Sequence, residues 1–130
     1  MRPLTTFSLL IASLLAFFIA PALVAESLQA GLANPASMHC YNQGGTLDIR
    51  KRTDSGEYGV CLFEDNRQCE EWALLRGHCP TGGLKITGYD NQAQIYCAIT
   101  GGDVDIKANR CQTNDGVDCN LDAYFSGRCP

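Results

Sequence analysis

Three cysteines recur at identical spacing in the two halves of this chain, and that repetition limits what it can fold into. Cys61, Cys69 and Cys79 are 8 and 10 residues apart, and Cys111, Cys119 and Cys129 are again 8 and 10 apart. Each run ends in Gly-x-Cys-Pro, at Gly77 to Pro80 and at Gly127 to Pro130. A fourth cysteine precedes each run, Cys40 in the first and Cys97 in the second. Cysteine spacing that repeats with a period of 50 residues reads as a duplicated unit.

The N-terminus does not read as part of a folded unit. After the basic start Met1-Arg2, residues 7–20 (FSLLIASLLAFFIA) carry no charge. That is the pattern of a secretory leader, and it is shorter than the roughly 20 residues a membrane span needs. We expect a signal peptide over residues 1–25, with cleavage after Ala22 or Ala25. Export implies an oxidising compartment, periplasmic or extracellular. There, 8 cysteines in a chain of 130 residues read as disulfides. A unit of about 45 residues buries too little apolar surface to be secure alone, and closing a loop of about 20 residues contributes on the order of 3 kcal/mol.

The balance of 10 basic and 14 acidic residues argues against a nucleic-acid partner, because no basic patch is present to track phosphates. Arg50-Lys51-Arg52 is the one basic run, and Asp48, Asp54 and Glu57 surround it. It reads as a solvated hairpin arm.

The first unit spans residues 31–80. Asn34-Pro35 caps and starts a helix that runs to Gln43, and Gly44-Gly45 ends it. Residues 46–63 alternate as a hairpin: Leu47 and Ile49 share one face of their arm, and Tyr58, Val60 and Leu62 share one face of theirs. Asp54-Ser55-Gly56 supplies the turn. Glu64-Asp65-Asn66 reads as the cap of a second helix over residues 67–76, with Cys69, Trp72 and Ala73 on one side. A linker follows at 81–87, and a second, shorter unit occupies 88–130. Asn91, Ala93, Gly101-Gly102, Asp105 and Ile106 match Asn34, Ala36, Gly44-Gly45, Asp48 and Ile49. The fold expected is α+β: two small disulfide-rich helix–hairpin–helix modules in tandem.

The segments GLANPASMHCYNQGG, GEYGVCLF and CEEWALLRGHC resemble a family of small exported bacterial domains of unknown function that often carry a haemolysin label. The shared positions are Asn34, Pro35, Ala36, Cys40, Gly44, Gly45, Cys61, Glu71, Trp72 and Ala73. The likeness is close over 31–79. Beyond it, Gln92 stands where Pro35 does, and Leu121-Asp122 where Glu71-Trp72 do. The resemblance implies pairing of Cys40 with Cys61 and Cys69 with Cys79. The rival set is Cys61 with Cys69 and Cys40 with Cys79, and sequence leaves both open.

Catalytic and metal chemistry find little material. His39 precedes Cys40 and His78 precedes Cys79, yet Tyr96 and Arg128 hold the matching positions of the second unit, and no Cys-x-x-Cys occurs. Two histidines beside disulfide candidates do not make a hydrolytic triad. Glu71 could meet Glu64 or Asp65 near the helix start, where a carboxylate ordinarily complements the dipole. We expect no enzyme, no cofactor and no metal.

Trp72 has two readings, a core anchor against the hairpin or the centre of an exposed patch. With Glu71 and Tyr58 it forms the candidate binding set. A core role would require Tyr124 or Phe125 to refill its place in the second unit. The expected role is an exported binding or inhibitor-like module for a protein or envelope component. The alternative is a membrane-active haemolysin, which long apolar runs or a basic amphipathic helix would favour, and residues 26–130 contain neither.

Overall fold

A computed structural model describes residues 34–129. The expected leader, the unit start at Gly31 and the final Pro130 lie outside the described residues. The described chain is a small disulfide-rich α+β structure with four bonds: Cys40–Cys61, Cys69–Cys79, Cys97–Cys111 and Cys119–Cys129.

Helix α1 (Pro35–Asn42) forms because its sequence closes both ends. The Asn34 side chain accepts from the Ala36 and Ser37 amides, and proline occupies the first turn. Gly44 then takes φ +80, a left-handed stop that a side chain resists. Its neighbour Gly45 is bare for another reason: a Cβ there would collide with the Cys40–Cys61 sulfurs. Gly102 holds the same relation to Cys97–Cys111. The double glycine thus stops a helix and seats a disulfide.

Strands β1 (Thr46–Lys51) and β2 (Glu57–Phe63) pair antiparallel around the Arg52–Gly56 turn. Asp54 accepts from the Gly56 amide in that turn, and Ser55 sits at φ 68. The register places Ile49 opposite Gly59 and Leu47 opposite Cys61. Alternation then puts Tyr58, Val60 and Leu62 on the opposite face, beside Asp48 and Arg50. The two apolar rows therefore face different ways: the β2 row meets the second half, while on the β1 row Leu47 is half-buried and Ile49 stays 55% exposed.

The expected helix over residues 67–76 divides in two. Arg67–Glu70 is a third strand, β3, and only Glu71–Leu75 is helical (α2). Asp65 and Asn66 do not cap; with φ 58 and 56 they turn the chain from β2 into β3. The register sets Cys69 opposite Cys61. Pairing with β2 satisfies the backbone of Arg67–Glu70, which helix formation would otherwise do. Nor are residues 81–87 a free linker, since Leu84–Lys85 (β4) pairs with β3 and completes a sheet of order β1-β2-β3-β4.

The second half repeats the order helix, three strands, helix: α3 (Gln92–Ile99), β5 (Asp103–Asp105), β6 (Arg110–Gln112), β7 (Asp118–Asn120) and α4 (Leu121–Phe125). Asn91 accepts from the Gln94 amide, while the Gln94 side chain accepts from the Asp90 amide. Strands β5-β6-β7 form a separate sheet.

The layers stack as α1 with α2, first sheet, α3 with α4, second sheet. One buried cluster lies between the first sheet and α1/α2, built of Cys40, Cys61, Cys69, Ala73, Leu74 and Cys79. Disulfides supply most of its volume, as a unit this small requires. The other cluster crosses the halves: Tyr58 and Val60 of β2 join Tyr96, Ile99, Leu121 and Phe125. The Tyr58 and Tyr96 rings meet edge to face at 4.9 Å, and Phe125 lies 6.3 Å from Tyr58. Helix α3 is covered on two sides, which explains why six of its eight residues are buried.

Candidate functional site

A trough runs along the junction of the two halves. Its first part, a cavity of about 350 Å³, is lined by Arg52, Glu57, Tyr58, Gly59, Glu70, Glu71, Trp72, Arg76 and Tyr96. A second cavity of about 430 Å³ shares Glu70, Arg76 and Tyr96 and adds His78, Thr100, Thr113, Asn114, Asp115 and Tyr124. The three binding candidates Tyr58, Glu71 and Trp72 thus line one cavity, and each does so differently.

Tyr58 presents an edge only, being 9% exposed and packed in the inter-half cluster. Burial pushes its phenol pKa up, and burial does the same to Tyr124 across the trough. The Tyr124 hydroxyl donates to Thr100 Oγ1 at 3.1 Å.

Glu71 is buried but satisfied. Its carboxylate accepts from Asn34 Nδ2 at 3.2 Å and from Ser37 Oγ at 2.6 Å. This bridge joins the start of α2 to the start of α1, where a negative charge also complements the helix dipole. The carboxyl group lies directly over Gly59, where a Cβ would come within 2.5 Å of Glu71 Cδ. Glu71 does not meet Glu64 or Asp65, which form the β2–β3 turn at the far end of β3. In the second half Leu121 fills the corresponding place at 1% exposure.

Glu70, adjacent in sequence, does separate work. It caps α2, accepting from the Trp72 amide at 3.1 Å and the Ala73 amide at 2.9 Å. Asn120 caps α4 in the same manner. Burial raises the Glu70 pKa above its ordinary 4.5, against the lowering effect of those two amides. A carboxyl whose pKa is raised on folding stabilises the fold below its unfolded value and loses that contribution as pH climbs through the folded one. Glu70 is therefore expected to contribute a fall in melting temperature as pH is raised above 4.5, and Glu70→Gln to remove that contribution. Parallel thermal melts across that range check this, and identical slopes for both proteins would refute it.

Trp72 belongs to neither buried cluster. It is half-buried at the trough wall, and the Arg76 guanidinium stands 5.5 Å from its ring centre. The core-anchor reading of Trp72 therefore does not hold. Phe125 is buried in the inter-half cluster, and Tyr124 packs against it. On the opposite wall, Arg52 donates to the Tyr96 hydroxyl at 3.4 Å and to Asp54. Sequence reading missed Glu70, Arg76 and Arg52, which the first half itself brings to the cavity, and Tyr96, which the second half adds by docking. The spacing of Trp72 and Arg76, four residues on one helical turn, was the available signal.

His39 sits on α1 and His78 follows α2 at the second cavity. Among the described residues no helix is long and apolar enough to cross a membrane.

The frame that builds one wall of this trough has relatives. Residues 31–78 match a family described as a domain of unknown function (DUF333). Over 54 residues the chain is 43% identical to the uncharacterized protein YoaF of Escherichia coli K12, and to its namesake in Shigella flexneri. Over 56 residues it is 29% identical to the uncharacterized protein YdbJ of Escherichia coli K12. These matches cover 42 to 43% of this chain and 63 to 64% of the relatives, less than two thirds of their length. No solved structure matches.

Proposed function

We propose that this is an exported binding module made of two tandem units, each a helix, an antiparallel sheet and a helix, which holds a protein or envelope component in the trough between them. The observation that carries the reading is the half-buried Trp72, flanked by Arg76 and set among Glu57, Glu70 and Arg52 in a cavity that continues across the junction. A tryptophan with one apolar face available and charged groups around it is the side chain that most often dominates a binding energy. Four disulfides fix both walls and so reduce the ordering cost of binding. They also point to an oxidising compartment, and with the apolar leader they favour the periplasm or the exterior.

The test is capture from envelope and culture fractions with the oxidised protein as bait. Trp72→Asp, which installs the residue found at position 122, is expected to remain folded and to lose at least about tenfold in captured partner, the usual scale of a hot-spot truncation. Equal capture by both baits would refute the trough as the site. Dye release from liposomes by the native protein would instead favour a membrane-active role.

A further inference from the structure

The two halves meet through unlike faces. The first half offers the outer face of its sheet, and the second half offers its helix pair. Such a head-to-tail contact can in principle be extended at both ends. The residues at the two free ends decide whether it is.

Matching the halves through their cysteines sets Val60 against Arg110, Leu62 against Gln112, Gln68 against Asp118 and Asp48 against Asp105. On the first sheet this face carries Tyr58, Val60 and Leu62 and is covered by α3 and α4. On the second sheet, Cys111 points to α3, so Arg110 and Gln112 point outward. That outer face holds Asp103, Asp105, Arg110, Gln112 and Asp118, with Arg110 Nε 2.9 Å from Asp118 Oδ1. The position that is apolar and covered in the first half is therefore polar and open in the second.

The helix end behaves likewise. Tyr96, Ile99 and Phe125 are buried at the junction. Their counterparts on α1 and α2 are His39, Asn42 and Leu75. Asn42 is exposed, His39 half-buried and Leu75 37% exposed. At this end His39 and Asn42 are polar where Tyr96 and Ile99 are apolar, whereas Leu75 and Met38, the counterparts of Phe125 and Ile95, stay apolar and 37% exposed. Polar residues on terminal faces, with an apolar junction inside, are how a stacked array is closed.

We infer that the Tyr58–Val60–Leu62 face is a docking surface for the helix pair of another unit of this kind, satisfied here within one chain, and that His39 and Asn42 at the helix end, with Arg110, Gln112 and Asp118 at the sheet end, stop the stack at two. The inference rests on the two-unit reading but not on the trough, so failure of either leaves the other standing.

Two full-length variants test it. A sheet-end variant carries Arg110→Val, Gln112→Leu and Asp118→Gln, copying the inner sheet face outward. A helix-end variant carries His39→Tyr, Asn42→Ile and Leu75→Phe, copying the inner helix face. All six positions are at least partly solvent-exposed, and retention of four disulfides and native circular dichroism checks folding. Each variant alone is expected to sediment as a single chain, because each opens only one of two unlike faces. Mixed in equal amounts they are expected to double in mass and go no further. Folded variants that stay single in the mixture overturn the inference, as does either variant associating alone. The native chain supplies a measurement independent of the variants: it is expected to stay single at high concentration, and self-association there also overturns the inference.

Discussion

Replacing Ile99 by Asp is expected to lower the urea midpoint reported by Trp72, although the two residues belong to different halves. Ile99 is 0% exposed and shares its cluster with Tyr58 and Val60 of β2. An aspartate there is either charged without a partner or protonated at a cost, and a buried polar group left unsatisfied destabilises by several kcal/mol. A loss above about 3 kcal/mol is a large part of the 5–15 kcal/mol typical of a whole domain. Trp72 is the sole tryptophan and sits on α2 of the first half, so its fluorescence reports that half and the cavity it shares with Tyr96. Because the β2 face is covered only while α3 is docked, the fluorescence and circular dichroism transitions should move together. A Trp72 midpoint unchanged by the substitution would mean that the halves unfold independently.

The second large effect is expected from removing Cys40–Cys61 by paired alanine substitution. Its sequence separation of 21 is the longest of the four. The loop it closes corresponds to about 3 kcal/mol in the chain-entropy model. Both cysteines are 0% exposed, so deleting the sulfurs also empties part of a cluster that contains little else. Alanine is preferred to serine because it adds no buried hydroxyl. The pair should destabilise more than removal of Cys69–Cys79, whose separation is 10. Urea titrations of the two double variants decide the order, and equal midpoints would contradict it.

Local signals in the sequence were strong wherever one residue did one job. Asn34, Pro35 and the double glycine bounded α1, and Asp54-Ser55-Gly56 marked its turn. The family likeness implied the first two bonds, which the cysteine spacing alone left open. The errors came from context. Cys69, Trp72 and Ala73 lie at helical spacing, yet Cys69 is in a strand because β2 was available to pair with it. The 8-residue gap between Cys61 and Cys69 fits two facing positions across a tight turn, and Asp65-Asn66 are residues that tolerate one. The apolar row of β2 likewise makes sense only once helices of the second half cover it, while Ile49 of the β1 row stays exposed. Of the candidate set, Trp72, Glu71 and Tyr58 share a cavity, while the partner wall from Tyr96 to Tyr124 depended on docking that periodicity does not encode.

The disulfide pattern has a consequence for biogenesis. Each of the four bonds joins a cysteine to the next one along the chain, first to second through seventh to eighth. Of the 105 ways to pair eight thiols, this is the one that requires no thiol to wait for a distant mate. A polypeptide entering an oxidising compartment N-terminus first, and oxidised as each successive pair emerges, arrives at the native set directly. For consecutive pairing of this kind an oxidant suffices, and an isomerase is needed only to correct thiols paired out of order.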